Sequence, residues 1–405
     1  MKIILFTENN CAGGMDTFCH ILVKNWPDKK DTFVLISNDD HPGLENLKQY
    51  FNGKVEIIPH TIPINWSLMN KYNLGASNNV FLRVLRKLLR ISLFPIQFFL
   101  IRRLFKKIKG DYLMVVNGAY PGGETCRVAN IAWKSIYGKR SLHTFHNYTA
   151  KYPLIMAPYE NLIDKMLINS CNYFISCSKS CADSLKVRPR FLDAKNIKSI
   201  YFGLPKPIRP EGIINLRETL NISDDNKILL MLGNYEPRKG HKFMFNALQI
   251  VYKSMKNIDI IVCGGSNDSY KDEIKKYAKT LPFSNNIHCL DFIHNGSDLI
   301  YQADILLIAS QEYESFGLTA LESMLRGVPV VSTNVGGLTE VLGQNGQCGF
   351  YCGKNDTERY AENVLTLLSS EKIRREVSNQ AKRRAVESFS CDKMSKTYHD
   401  LLKEL

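Results

Sequence analysis

At 405 residues, 44% hydrophobic and 23% charged, the chain is too long for one ordinary domain and suits two soluble domains of about 200 residues each. No stretch approaches the roughly 20 apolar residues of a membrane-spanning helix, which excludes a helical integral membrane protein. The net charge of +14 is lopsided: residues 1–205 hold 28 Lys+Arg against 14 Asp+Glu, and the remainder holds 25 of each, so the N-terminal half favours an anionic partner.

Met1-Lys2-Ile3-Ile4-Leu5-Phe6-Thr7 reads as a short buried strand and lacks the basic start, long apolar stretch and cleavage site of a signal peptide. The eleven cysteines are scattered, with no C-x-x-C pair. An odd number cannot all pair within one chain, and they read as reduced thiols of a cytoplasmic protein. Strand-like and helix-like stretches then alternate, the pattern of a parallel sheet with helices on its faces. Strands are expected at residues 3–7, 32–36, 55–59, 112–116, 142–145 and 173–177. After the first of them, Cys11-Ala12-Gly13-Gly14-Met15-Asp16 opens a helix; its glycines allow close approach to a ligand, although taken alone the pair reads as a turn.

Residues 81–110 hold nine basic side chains (Arg83, Arg86, Lys87, Arg90, Arg102, Arg103, Lys106, Lys107 and Lys109) and no acidic one. Mostly apolar residues, including Phe94, Phe98, Phe99 and Leu100, lie between Arg90 and Arg102, and Pro95 is expected to interrupt any continuous helix. The segment fits a peripheral contact with an anionic membrane surface and fits equally two packed helices with solvated basic faces. The charge excess of the same half favours the membrane, on the inner face of the plasma membrane for a cytoplasmic protein. No recognition motif for nucleic acid accompanies it, and no such partner is expected.

Further along, Leu142-His143-Thr144-Phe145-His146-Asn147 ends a strand, with His143 packed inside it and His146 at its end. Three prolines within residues 203–210 make a linker. The strand–helix rhythm restarts at 228–232, 258–263, 287–290, 305–309 and 328–332. A final helix is expected over about 382–405, with Met394, Tyr398, Leu401 and Leu402 at helical spacing.

The most specific segment is Glu312-Tyr313-Glu314-Ser315-Phe316-Gly317-Leu318-Thr319-Ala320-Leu321-Glu322. A buried strand ends, a polar loop follows, and a helix begins near Phe316 or Gly317. Its N-terminal N–H groups and partial positive charge suit a diphosphate at the carboxyl edge of the sheet. Carboxylates such as Glu314 and Glu322 accept charge-assisted hydrogen bonds from sugar and ribose hydroxyls. Thr319 and Glu322 also have capping-box spacing, and Glu314 also fits an ordinary loop acid.

This stretch resembles the E-x7-E motif of the family-4 retaining glycosyltransferases (glycosyltransferase group 1), and the similarity covers nearly the whole chain. Leu232-Gly233-Asn234-Tyr235-Glu236-Pro237-Arg238-Lys239-Gly240-His241 is similar to the family's strand-end segment ending in Lys-Gly. Val335-Gly336-Gly337-Leu338-Thr339-Glu340 is similar to its Gly-Gly-x-x-Glu, and Leu290-Asp291-Phe292-Ile293 to its base-contacting loop. The resemblance implies a GT-B fold: two facing Rossmann-like α/β domains with a deep inter-domain cleft. The first would span 1–205 and be completed by a C-terminal helix at about 385–405; the second would span 206–384 and bind the nucleotide sugar.

It further implies retaining, metal-independent transfer of a sugar from a nucleoside-diphosphate donor to a glycan or lipid-linked hydroxyl, as in bacterial surface-polysaccharide or lipopolysaccharide assembly. Glu314 would hold donor-sugar hydroxyls, Glu322 the ribose, and Lys239, with Arg238 nearby, the diphosphate. Phe292 and Ile293 would contact the base, and Ser315, Phe316, Gly317, Leu318 and Thr319 would line phosphate and sugar. Gly14 would face the donor phosphate or the acceptor across the cleft, and His146 would line the reaction centre. Asn234 stands where many members have Arg, so Lys239 and Arg238 must suffice or the diphosphate is held more loosely.

No cofactor and no metal are expected, since no D-x-D occurs in the chain. A nicotinamide oxidoreductase would want G-x-G-x-x-G after a strand, which is absent, as is a P-loop. A nucleotide-sugar epimerase of the same fold and a non-catalytic homologue remain as rivals.

Overall fold

The Val-, Ile- and Leu-rich runs of the first half lie buried between helices, as parallel strands covered on both faces must. A computed structural model describes residues 1–72, 80–138, 141–265 and 268–405, with the side chains of Val80, Phe81 and Arg83 outside the described set. Its first unit, Met1–Gly203 with Cys391–Leu405, holds β1 (Lys2–Thr7), β2 (Thr32–Asn38), β3 (Glu56–His60), β4 (Tyr112–Asn117), β5 (Ser141–Phe145), β6 (Cys171–Ser176) and β7 (Ile197–Ser199). All pair in parallel in the order β3-β2-β1-β4-β5-β6-β7.

The second unit, Leu204–Ser390, holds β8 (Lys227–Leu232), β9 (Ile258–Cys263), β10 (Ile287–Leu290), β11 (Ile305–Ile308), β12 (Val330–Thr333) and β13 (Phe350–Cys352). They form a parallel sheet in the order β10-β9-β8-β11-β12-β13. Each unit is therefore a doubly wound Rossmann-like sheet. Chain order reverses between β1 and β4 in one and between β8 and β11 in the other. Connections leave such a point in opposite directions, so a crevice opens at the carboxyl ends of the two strands.

The helix Cys391–Lys403 belongs to the first unit: Ser395 donates to the Leu22 carbonyl at 3.1 Å, and Tyr398 meets Phe18 edge-on at 5.7 Å. Residues 382–405 are not one helix, however. Glu371–Ser388 ends at Phe389, and Ser390 precedes a new helix with Asp392 in its first turn. Helical spacing alone could not reveal this break. The edge strands β7 and β13, three residues each, were also illegible, being too short for a period to register. β12 starts at Val330 rather than Val328, because Pro329 has no N–H to donate to the ladder.

Pro95 does not interrupt its segment: Val80–Ile108 is one 29-residue helix with the proline inside. A proline removes one hydrogen bond, and here the face bearing Leu93, Gln97, Ile101 and Phe105 is buried against the sheet and its neighbouring helix. That packing offsets the roughly 3 kcal/mol a helix-interior proline costs. All eleven cysteines are free, and nine are buried.

One group of buried charges in the first unit is paired internally. Arg188 donates to Asp164 at 2.8 and 3.0 Å and Arg127 to Glu160 at 2.9 Å, while the Tyr120 hydroxyl donates to Asp164 at 2.5 Å. Removing one partner of such a set leaves an uncompensated buried charge.

In the second unit the loop after β8 ends at Gly240, with φ +73°. A Cβ there would lie 2.0 Å from the Ala309 carbonyl oxygen after β11. Only glycine tolerates both the left-handed backbone and that contact. Gly240→Ala is expected to destabilise the protein by about 2–4 kcal/mol, combining left-handed strain with overpacking; chemical denaturation monitored by circular dichroism measures it.

Candidate active site at the two switch points

At the carboxyl end of β8 the chain runs through Gly233 to Gly240. Tyr235 anchors this loop from beneath: its buried ring stacks on His241 at 5.1 Å, and its hydroxyl donates to the Val262 and Leu290 carbonyls at 3.0 and 3.1 Å. The short 3-10 turn Pro237–Lys239 then turns the Lys239 side chain toward the end of β11. There Glu314 accepts a hydrogen bond from Lys239 and another from the Ser310 hydroxyl at 2.8 Å, and Arg238 Nη1 lies 3.6 Å away. Arg238 also pairs with Glu236 at 2.7 Å and covers the Tyr313 ring at 5.2 Å. Two cations thus converge on one carboxylate, in the neighbourhood where the missing Arg of Asn234 left a question. Asn234 itself donates to Glu236 at 3.2 Å.

The third loop, after β12, locks the second. The Gly337 N–H donates to the Glu314 carbonyl at 2.8 Å, and the Thr333 hydroxyl to the Ser310 carbonyl at 2.5 Å. A Cβ on Gly337 would lie 2.7 Å from the Ser315 oxygen and from Phe316 Cα. The helix Leu318–Arg326 begins from Gly317 (φ +102°), which caps it without a side chain. Thr319 is therefore already inside the first turn, and it forms no capping box with Glu322.

Lys239, Ser310, Glu314, Gly317 and Thr319 line one small cavity at this helix start. Its free N–H groups and positive end are the local resource for an anion. Phe316 is buried against Phe389 at 5.7 Å, so its side chain packs in the core.

Glu322 sits one turn into that helix, and its carboxylate accepts no hydrogen bond from the described residues. Burial pushes its pKa up to about 7, opposed by Arg326, which itself pairs with Asp298 at 3.0 Å. A half-buried carboxylate with its hydrogen-bond capacity unspent is open to a donor from a ligand. On the loop after β10, Phe292 is 69% exposed and Ile293 is partly buried.

In the first unit the switch point also forms a cavity, of about 380 Å³, where Gly13 and Gly14 meet Asn117 and the following loop. A Cβ on either glycine would meet nothing within 4 Å; the missing side chains leave room rather than relieve a clash. The glycine loop is held from behind. Asp16 accepts from the Gly13 N–H at 3.1 Å and pairs with His41 at 2.9 Å, and Asn38 exchanges hydrogen bonds with the Asn9 backbone at 2.8 Å.

His146 lies outside the lining of this cavity. Its ring packs against Phe18 at 4.3 Å and Phe202 at 6.3 Å; burial lowers its pKa to about 4, so it is neutral at physiological pH, and its Nδ1 is buried without a partner. Sequence reasoning missed Ser310, Glu8, Trp66 and Asn117. Ser310, four residues before Glu314 at a strand end, was the one with a readable signal.

The chain is similar to known proteins in sequence and in fold. Residues 213–384 match the family model described as glycosyl transferases group 1. The N-acetyl-alpha-D-glucosaminyl L-malate synthase of Bacillus anthracis is 27% identical over 215 residues, covering 52% of this chain and 55% of the relative. The lipopolysaccharide 1,2-N-acetylglucosaminetransferase of Salmonella typhimurium is 26% identical over 199 residues, covering 47% and 51%. The chain spans about half the length of the curated relatives it matches. HepE of Anabaena, solved in complex with UDP, superposes over all of both chains with a TM-score of 0.76 at 18% identity. The chain thus has the GT-B fold and carries, over residues 213–384, a glycosyl transferases group 1 domain.

Proposed function

We propose that this protein is a retaining, metal-independent glycosyltransferase that moves a sugar from a nucleoside-diphosphate donor to a hydroxyl of a glycan or lipid-linked acceptor. The observation that carries the reading is Glu314, held by Lys239 and Ser310 beside a helix start at the β8/β11 switch point. In this reading Lys239, assisted by Arg238, exchanges Glu314 for the donor diphosphate, and Glu314 is released to the sugar hydroxyls. The backbone from Ser315 to Thr319, with Leu318 at the helix start, receives phosphate and sugar; Glu322 takes the ribose, and Phe292 with Ile293 flanks the base.

The bond from the anomeric carbon to the diphosphate breaks with its electron pair leaving on the phosphate oxygen. The acceptor oxygen bonds to the same face of the carbon, and its proton passes to the departing diphosphate. The protein contributes positioning and stabilisation of charge on the leaving group. Gly14 faces the donor phosphate or the acceptor, and the neutral His146 lines the reaction centre in this scheme. A UDP complex of a structural neighbour and the lipopolysaccharide enzyme among the relatives support a nucleotide-sugar donor and surface-glycan assembly.

We place the protein in the cytoplasm, peripherally at the membrane. No helix among the described residues is long and apolar enough to cross a membrane. The helix Val80–Ile108 carries Leu88, Ile91, Ile96 and Phe99 outward (Phe99 64% exposed), followed by exposed Arg103, Lys106 and Lys107. Phe94 and Phe98 pack on the core instead. Apolar side chains and cations on one outer face suit anionic headgroups, at about 1 kcal/mol per basic residue.

Four outcomes test these assignments. In a thermal-shift screen of UDP-, GDP- and other nucleotide sugars one nucleotide class should stabilise the protein by mass action. Lys239→Ala should weaken that ligand by roughly tenfold or more and Arg238→Ala much less; equal effects count against the assignment. Glu322 is raised from about 4.5 to about 7, so the stability linked to its protonation is complete below the unfolded value and is lost progressively as pH rises from about 4.5 to about 7. Glu322→Gln should therefore flatten the decline in Tm between about pH 5 and 7 relative to the parent while weakening the nucleotide. Finally, the protein should sediment with anionic vesicles at low salt, and Arg103, Lys106 and Lys107 changed together to Gln should abolish this.

A further inference from the structure

A cluster of metal-ligating side chains lies at the start of β1 and β2, the end of the first unit's sheet opposite its switch-point cavity. Between the helix Gly14–Lys24 and β2 the chain runs Trp26-Pro27-Asp28-Lys29-Lys30-Asp31. The Asp31 N–H donates to the Asp28 carbonyl at 3.2 Å and closes a turn there. His399 reaches the turn from the buried face of the helix Cys391–Lys403. One oxygen of Asp28, one of Asp31 and a ring nitrogen of His399 lie within 4.8 Å of one another.

Acidic side chains often gather at a surface without any ion, and the histidine is what distinguishes this group. His399 is 6% exposed, and its Nε2 is buried without a hydrogen-bond partner, 3.8 Å from Asp31 Oδ2. That separation is too long for a hydrogen bond. It suits two ligands of one ion, which at bond lengths of about 2.0–2.2 Å stand roughly 3–4 Å apart. A buried ring nitrogen with nothing to bond is costly, and an ion completes it.

The surroundings hold the three ligands in place. His399 Nδ1 lies 3.3 Å from Asp400 Oδ1. Donation there leaves the lone pair on Nε2, the arrangement in which a carboxylate orients a metal-bound imidazole. The Asp31 side chain is 2% exposed; its Oδ2 accepts from the Trp26 ring N–H at 2.8 Å and its Oδ1 from the Met1 amine at 2.6 Å. Each oxygen keeps a further lone pair. Lys396 pairs with Asp400 at 2.5 Å. Those two cations answer Asp31 and Asp400, whereas Asp28 has no salt bridge among the described residues and accepts only from the Lys30 N–H at 3.0 Å.

We propose that Asp28, Asp31 and His399 bind a first-row divalent metal ion, zinc in preference, with water in the fourth position. One imidazole nitrogen and two carboxylate oxygens suit zinc better than magnesium or calcium, which take oxygen ligands throughout. The ion fastens the C-terminal helix to the start of β2. Its role is structural: the six residues of β1 put about 20 Å between this site and the cavity at Glu8. The site is independent of the sugar-transfer reading, and no step of that reaction passes through it.

Zinc titrated into chelator-treated protein tests this, with bound metal and melting temperature as readouts. One ion per chain should bind, and zinc at about a hundred times its Kd should raise Tm by roughly 5 °C. Magnesium at equal concentration should leave Tm unchanged. His399→Gln and Asp28→Asn should each weaken zinc by at least about tenfold, since loss of an outer-shell partner alone costs that much. Asp28 is half-buried, so the second variant stays informative where replacing the buried histidine disturbs folding. Cys11→Ser removes the exposed thiol and should change nothing.

Cobalt(II) reports the location. The Trp26 ring meets His399 at 5.4 Å and donates to Asp31, so bound cobalt should quench its fluorescence, and the loss should disappear in Trp26→Phe. Absence of stoichiometric zinc on the parent, undiminished affinity in both ligand variants, or binding that depends on Cys11 overturns the proposal.

Discussion

The second unit depends on one close approach of backbone to backbone. Gly240 lies against the Ala309 carbonyl, and this contact sets the spacing between the loops after β8 and β11. With that spacing, Lys239 reaches Glu314 and the Gln311 N–H reaches the Arg238 carbonyl at 2.8 Å. A side chain at position 240 would hold the two loops apart by the thickness of a methyl group, and an ion pair falls off sharply over such a distance in a partly buried site. Gly337 repeats the device one strand further along, pressing the β12 loop onto Ser315 and Phe316. The polar groups of the site are thus placed by the backbone beneath them.

The first unit solves a different problem with similar parts. Its glycines at 13 and 14 are not squeezed by neighbours; they keep space empty. The loop they form is kept rigid by Asp16, His41, Asn38 and Asn9, all buried and mutually hydrogen-bonded. Opposite, the loop from Asn117 to Gly123 is braced through Tyr120, whose hydroxyl joins the Arg188, Asp164 and Glu160 cluster. Each ion in that cluster has a partner, so its burial is affordable. An open cavity between two braced loops is preorganised for a ligand, because little ordering remains to be done on binding.

Much of the site was readable as motif and little of it as geometry. Glu314, Lys239, Gly317 and Thr319 are separated by up to 80 positions, yet each follows a strand end, and strand ends of a doubly wound sheet share one edge. That is why they could be named together. Tyr235 supports them and was given no role, because a buried tyrosine carries no spacing signal; Ser310 went unnamed although it stands at a strand end four residues before Glu314. Pro95 misled for the opposite reason: a local rule was applied where burial of Leu93, Ile101 and Phe105 decides the outcome. The break at Phe389 and Ser390 escaped because both flanking stretches have good helical periodicity.

By itself the sequence determined the alternation of strands and helices, the linker after residue 203, the concentration of positive charge in the first half and the E-x7-E segment. All of these are local or compositional, and hydrophobic period, proline content and motif spacing report them directly. Tertiary structure alone decided that Lys239 holds Glu314, that His146 lies among Phe18 and Phe202 with its pKa depressed, and that Glu8 and Trp66 border a common cavity. Those facts follow from which strand ends become neighbours and how deeply each group is buried, and both are properties of the packed sheet that no local pattern encodes.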